Sequence, residues 1–147
     1  MRSETAAEVE EKISVRTLRV PWTMSSAVDA RRALTSELRA QGVDPVVVGE
    51  SEIVLSELVT NAVRHAQPLA DGGIRVTWSV HGGVVEIDVT DGGGPTFPSP
   101  APRSVWSAGG RGLRIVGSLA HEWGVRENGP GNTVWASIGG PSSHHSP

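Results

Sequence analysis

Between residues 45 and 66 the chain places apolar side chains at helical spacing. Val47, Leu55, Leu58, Val59, Ala62 and Ala66 fall on one stripe, and Glu50, Ile53, Glu57, Thr60, Asn61 and Arg64 fall on the other. The stretch 51–66 has no Gly or Pro, and Asp44 before Pro45 supplies a cap and a tolerated first-turn proline, so a helix opening at Pro45 is expected. An earlier helix over about 26–41 follows from Ala27, Ala30, Leu34 and Leu38, with Gly42 as its stop. Elsewhere the period is two. Residues 13–20 form a short β-branched run ending at Pro21. Ile74, Val76, Trp78 and Val80 alternate with polar residues, as do Val85, Ile87 and Val89, and His81-Gly82-Gly83 between them predicts an antiparallel hairpin. The Pro-rich stretch from Pro95 to about Ser107 has no period and reads as a loop. A short helix over 112–120, facing inward through Leu113, Val116 and Leu119, precedes two strands, 122–126 and 133–138, around the turn Asn128-Gly129-Pro130-Gly131.

The predicted order is therefore β, α, α, β, β, loop, α, β, β. Strands joined by hairpins, with helices grouped before and between them, argue for an α+β two-layer sandwich and against a doubly wound parallel sheet. The helices should cover one face of the sheet. The 147 residues suit one domain, expected over 13–138, with a flexible segment 1–12 and a disordered tail 139–147.

Composition narrows the function classes. A formal net charge of −3 does not suit a general nucleic-acid binder. The chain has no cysteine, which excludes disulfides and thiolate metal sites, and no apolar run long enough to span a membrane, so a cytoplasmic protein is expected. Glycine is overused at 18 residues, six of them at 92, 93, 94, 109, 110 and 112, a pattern of backbone that turns sharply or admits a ligand closely. His144 and His145 belong to the expected tail. Trp22, Trp78, Trp123 and Trp135 lie on or beside strands and are expected to pack, whereas Trp106 falls in the Pro-rich loop.

Three segments carry candidate chemistry. Glu57 and Asn61, four residues apart on a helix, project a carboxylate and a carboxamide side by side, although a polar stripe also fits a solvated helix face. Asp91 ends a strand before Gly92-Gly93-Gly94-Pro95. It offers an acceptor for an exocyclic amine beside backbone that leaves room for a flat ring, or else it opens a hairpin turn. Gly109-Gly110-Arg111-Gly112-Leu113 runs directly into a helix, where backbone N–H groups favour an anion. The chain lacks Gly-x-x-x-x-Gly-Lys-Ser/Thr and the Gly-x-Gly-x-x-Gly spacing after a strand, which excludes a P-loop and disfavours a dinucleotide fold.

In this order the three segments resemble the N, G1 and G2 boxes of the GHKL (Bergerat-fold) ATP-binding superfamily, which includes gyrase B, MutL and histidine kinases. They most resemble the small anti-sigma-factor serine/threonine kinases. Glu57-Leu-Val-Thr-Asn-Ala-Val-Arg-His-Ala66 is similar to their N box, Gly110-Arg-Gly-Leu-Arg-Ile-Val116 to G2, and Gly131-Asn-Thr-Val-Trp-Ala136 to their last strand. The resemblance implies a Bergerat fold with a mixed, mainly antiparallel sheet, and it implies ATP and Mg²⁺ as cofactors. Asn61 would hold the Mg²⁺, and Glu57 would act as the catalytic base or orienting carboxylate. Asp91 would take the adenine amine with Gly93 leaving room for the ring, and Thr133 would sit near adenine. Gly110, Arg111, Gly112 and Leu113 would wrap the phosphates, and Arg64 would meet a phosphate or form a structural ion pair. It further implies a homodimer that sequesters a sigma factor and phosphorylates an antagonist of that anti-sigma activity. Pro95 departs from the usual Asp-x-Gly-x-Gly of G1, and Pro95, Pro98, Pro100 and Pro102 give a short, stiff lid. That departure leaves open a nucleotide-responsive binding module without kinase turnover.

Overall fold

The structure, a computed structural model, describes residues 14–93, 110–128 and 131–139. Expectations for the first dozen residues, the Pro-rich lid with Trp106, and the tail with His144 and His145 lie outside the described residues. Among the described residues eight elements appear in the expected order. Strand β1 spans Ser14–Pro21, followed by helices α1, Ser26–Ala40, and α2, Pro45–His65. Strands β2, Gly73–His81, and β3, Val84–Asp91, precede helix α3, Gly110–Leu119, and the strands β4, Glu122–Asn128, and β5, Gly131–Gly139.

The strands form one five-stranded sheet in the order β1-β2-β3-β5-β4, and every pairing is antiparallel, so no parallel pair of the expected mixed sheet is present among the described residues. The β2–β3 turn uses Gly82 and Gly83 at φ of 59° and 82°, the left-handed pair that a tight turn matching strand twist requires. Asp44 caps α2 by accepting the Val46 N–H at 3.0 Å, with Pro45 in the first turn.

Alternation sets the core. Ile74, Val76 and Trp78 of β2, Val85, Ile87 and Val89 of β3, and Val134, Ala136 and Ile138 of β5 share the covered face, and all are buried. Against them pack Leu34 and Leu38 of α1, Val54, Leu55, Leu58 and Val59 of α2, and Val116 of α3. At roughly 25 cal/mol per Å², each of these large side chains contributes on the order of 1.5–3 kcal/mol, which is the reserve that tolerates polar groups at the site. Of the four tryptophans among the described residues, Trp78 is buried in the core, and the indole of Trp135 lies across Gly124 with Arg126 above it at 5.9 Å. Trp22 and Trp123 sit at the rim. No helix among the described residues is long and apolar enough to cross a membrane.

Candidate functional site

The site is assembled where the end of α2 meets the end of β3. Helix α2 stops at Ala66, whose extended backbone turns the chain so that Gln67 runs beside the turn after Asp91. There the Gln67 N–H donates to Gly93 O at 2.8 Å and the Gly92 N–H donates to Gln67 O at 2.7 Å, a two-bond bridge between the two segments. Gly92 is required by this contact, because a Cβ there would stand 2.0 Å from the Pro68 carbonyl oxygen. Gly93 has φ of 98°, the left-handed region that favours glycine. Thus the glycines after Asp91 have a stated backbone duty beyond leaving room for a ring.

Asn61 departs from the solvated stripe. It follows Leu58 by three residues, which swings it to the flank of the buried face, and it is only 5% exposed. Its Nδ2 is buried without a hydrogen-bond partner among the described residues. Glu57, one turn earlier, is half-buried and has no hydrogen bond or ion pair among the described residues. Arg64 is exposed near the helix end, and no structural ion pair to it is present among the described residues. Rim packing holds this end of α2 as well, with Trp22 Nε1 donating to Ala62 O at 3.5 Å.

Asp91 is completely buried. Its Oδ1 accepts the Gly93 N–H at 2.7 Å, while Oδ2 has no partner among the described residues. Burial pushes the carboxyl up to about 6, against the opposing pull of the backbone N–H groups of Gly93 and Asn132. A buried acceptor of this kind, one oxygen fixed and the other vacant, is suited to a ligand N–H donor.

Gly110, Arg111, Gly112 and Leu113 form the first turn of α3, which packs against α2. The first-turn N–H groups of a helix lack intrahelical partners and favour an anion. Thr133 is not brought to this cluster. It pairs with Thr90 on the opposite face of the sheet, where the two hydroxyls lie 2.8 Å apart. The β5 residue on Asp91's face is Asn132, directly across from it. The strand pattern carries the signal: Val134, Ala136 and Ile138 face the core, so position 132 does and 133 does not. Gly131, which the last-strand motif contains without giving it a role, is required here, since a Cβ there would lie 2.5 Å from Asp91 O.

Fold and site together define an ATP-binding α+β domain of the Bergerat type, with its candidate adenine carboxylate at a strand end and its candidate metal carboxamide on the facing helix. By sequence, residues 20–138 match the histidine kinase-like ATPase domain family, and the chain belongs to that family. No curated protein matches it by sequence. Among the solved structures that share the fold, the RsbU and RsbW domains of Rv1364c from Mycobacterium tuberculosis superpose with a TM-score of 0.65 at 22% identity, covering 87% of this chain and 33% of that one. This chain therefore spans about a third of that neighbour's length. The SiaB–SiaC complex from Pseudomonas aeruginosa gives a TM-score of 0.60 at 13% identity, covering 93% of this chain and 96% of the other.

The residues present fit the nucleotide that the family implies. The unpartnered Asp91 Oδ2 suits an amine donor, and the Asn61 carboxamide oxygen is a hard donor of the sort Mg²⁺ takes.

Proposed function

We propose that this domain is an ATP- and Mg²⁺-dependent regulatory serine/threonine kinase of the anti-sigma-factor type, which holds a sigma factor and phosphorylates an antagonist protein. The observation that carries the nucleotide half of this reading is the buried Asp91 Oδ2 without a partner, beside Gly92 and Gly93 and bridged to the end of the helix bearing Asn61. The resemblance of an isolated N, G1 and G2 set to anti-sigma kinases supports the partner half, as does the presence of RsbW and SiaB–SiaC among the structures that share the fold.

In this mechanism Asp91 accepts the adenine amine, and Gly93 leaves room for the ring. Asn61 would hold the metal through its carboxamide oxygen, and the metal would supply positive charge to the phosphates. Glu57, held by no other group among the described residues, accepts the proton of the attacking hydroxyl. The first turn of α3 presents N–H groups to the phosphates. Most of the rate then comes from placement and charge stabilisation. Phosphotransfer from labelled ATP to a candidate antagonist tests the reading directly, and Glu57→Ala should abolish label transfer while nucleotide still binds. Full transfer by that variant would remove Glu57 from the chemistry.

The four prolines at 95, 98, 100 and 102 favour a second reading, a nucleotide-responsive module that sequesters its partner without turnover. Labelled antagonist refutes it.

A further inference from the structure

Strand β4 ends the sheet on one side, and among the described residues it pairs with β5 alone. Its outward N–H and C=O groups are therefore open to another strand. Trp123 and Val125 face the helical side, since they stand opposite the buried Ala136 and Val134 of β5, yet they remain 37% and 41% exposed. Edges are ordinarily blunted by charge or proline, and two large apolar side chains on one face of an open edge run against that rule. The other edge obeys it: β1 carries Arg16, Arg19 and Pro21 and no acidic residue, so a second β1 laid against it brings cations together.

We propose that β4 pairs with the β4 of a second copy of this chain, antiparallel about a two-fold axis through Gly124, so that two five-stranded sheets join into one of ten strands. The register follows from the strand itself, Glu122-Trp-Gly-Val-Arg-Glu-Asn128. With the axis at Gly124, Trp123 lies opposite Val125 of the second copy and Glu122 lies opposite its Arg126, each pair occurring twice. Moving the axis to Val125 sets Trp123 against Glu127, and placing it between Gly124 and Val125 sets Glu122 against Glu127, two like charges. Glu122 has no ion pair among the described residues, and Arg126, whose Nη2 donates to Asp88 at 2.9 Å, keeps its remaining donors. Glycine at the axis has a use as well. The Trp135 indole lies over Gly124, its Nε1 2.9 Å from where a Cβ would stand, and so leans toward the open edge. Pairing about Gly124 brings the two indoles toward each other across the axis. The Asp91 end of β3 lies two strands in from that edge, so the pairing leaves it uncovered and stands independently of the nucleotide reading.

The test uses the full chain. Sedimentation over a range of concentrations should show a monomer–dimer equilibrium, and because one strand pair is a small interface a Kd on the order of micromolar is expected. Amide exchange of the unaltered protein should slow across residues 122–128 as concentration rises. The chain has no cysteine, so Trp123→Cys and Val125→Cys, both at exposed positions, report the register. Mixed and oxidised, the two variants should form a disulfide-linked dimer far more readily than either does by itself, because positions 123 and 125 face each other while like positions lie about 7–8 Å apart on the diagonal. Glu122→Lys, which opposes Arg126 of the second copy with a like charge, should raise Kd by roughly tenfold. A monomer at every concentration overturns the proposal. So does a dimer whose exchange at 122–128 is unchanged, whose mixed cysteine variants link no better than the single ones, or whose Kd does not move in Glu122→Lys.

Discussion

Asp91→Asn separates the stability of this fold from its function. A carboxyl raised from 3.8 to about 6 by burial is harder to ionise in the folded chain than in the unfolded one. The sign follows from linkage: the raised group leaves stability intact below the unfolded value, and stability is lost as pH climbs through the folded value. The difference of about 2 units costs the folded state about 3 kcal/mol at pH 7.5, and about 1 kcal/mol remains at pH 4.5. Asparagine removes the charge, keeps an oxygen for the Gly93 N–H, and leaves an unpaired NH₂ where Oδ2 was, which costs on the order of 1–2 kcal/mol. The variant without ligand should therefore be more stable than wild type by roughly 1–2 kcal/mol at pH 7.5 and no more stable at pH 4.5. The same substitution puts a donor where the ligand amine needs an acceptor, so stabilisation by ATP should vanish. Urea unfolding of both proteins at the two pH values, with and without Mg-ATP, gives all the terms, and the other carboxylates cancel in the difference. A stability change equal at both pH values would show that Asp91 ionises in the fold without penalty and would refute the reasoning.

Wild-type affinity for ATP should fall below about pH 6, approaching tenfold per unit, as protonation converts the Asp91 acceptor into an acid; calorimetry over pH 5–8 reads this, and a flat profile contradicts an ionised acceptor. At ATP about 100 times Kd the melting temperature should rise by very roughly 5–10 °C, from about 2.7 kcal/mol of linkage. Asn61→Ala should remove the Mg²⁺-dependent part of that rise; an unchanged difference between melts with and without Mg²⁺ would rule out metal binding there. Gly92→Ala forces a Cβ to 2.0 Å from Pro68 O, so the bridge to Gln67 must open, and a loss of at least about 2 kcal/mol is expected in urea unfolding. Trp78→Ala should cost about 3–5 kcal/mol by the same measurement, and Trp78→Phe much less, because the buried Trp78 Nε1 has no hydrogen-bond partner to lose.

Local pattern carried the architecture because each element declares itself within a few residues. Alternation in 74–80 and 85–89, the Gly82-Gly83 turn and the Asp44-Pro45 cap depend on near neighbours, and all appear where the sequence puts them. Strand ends were less legible. The runs 122–126 and 133–138 extend to Asn128 and Gly131–Gly139, because pairing with a neighbour carries polar and glycine residues into the sheet. Within the site, Asn61 looked like part of a wet stripe because a helical wheel does not say how wide the covered arc is; packing of α2 on β3 and β5 widens it to include that residue. The roles of Gly92 and Gly131 were hidden since their close contacts, Pro68 O and Asp91 O, come from other segments. Thr133 was assigned by motif, and strand parity, which was in plain view, sends it to the other face.

Several buried polar atoms lack partners among the described residues, Ser51 Oγ and Asp88 Oδ1 included, so being unpaired does not by itself mark a site. What distinguishes Asn61 and Asp91 is connection. The helix bearing one and the strand bearing the other are tied by the Gln67 bridge to Gly92 and Gly93. Each unpaired buried group costs on the order of 1–3 kcal/mol, a sum comparable with a sizeable fraction of a domain's net stability. A ligand that offers an amine at one end and a metal-bound phosphate at the other repays both together. Its binding should therefore tighten the end of α2 and the end of β3 as one unit, with amide exchange slowing at Gln67, Gly92 and Gly93 together. Protection at one segment alone would mean that the two vacancies do not share a ligand.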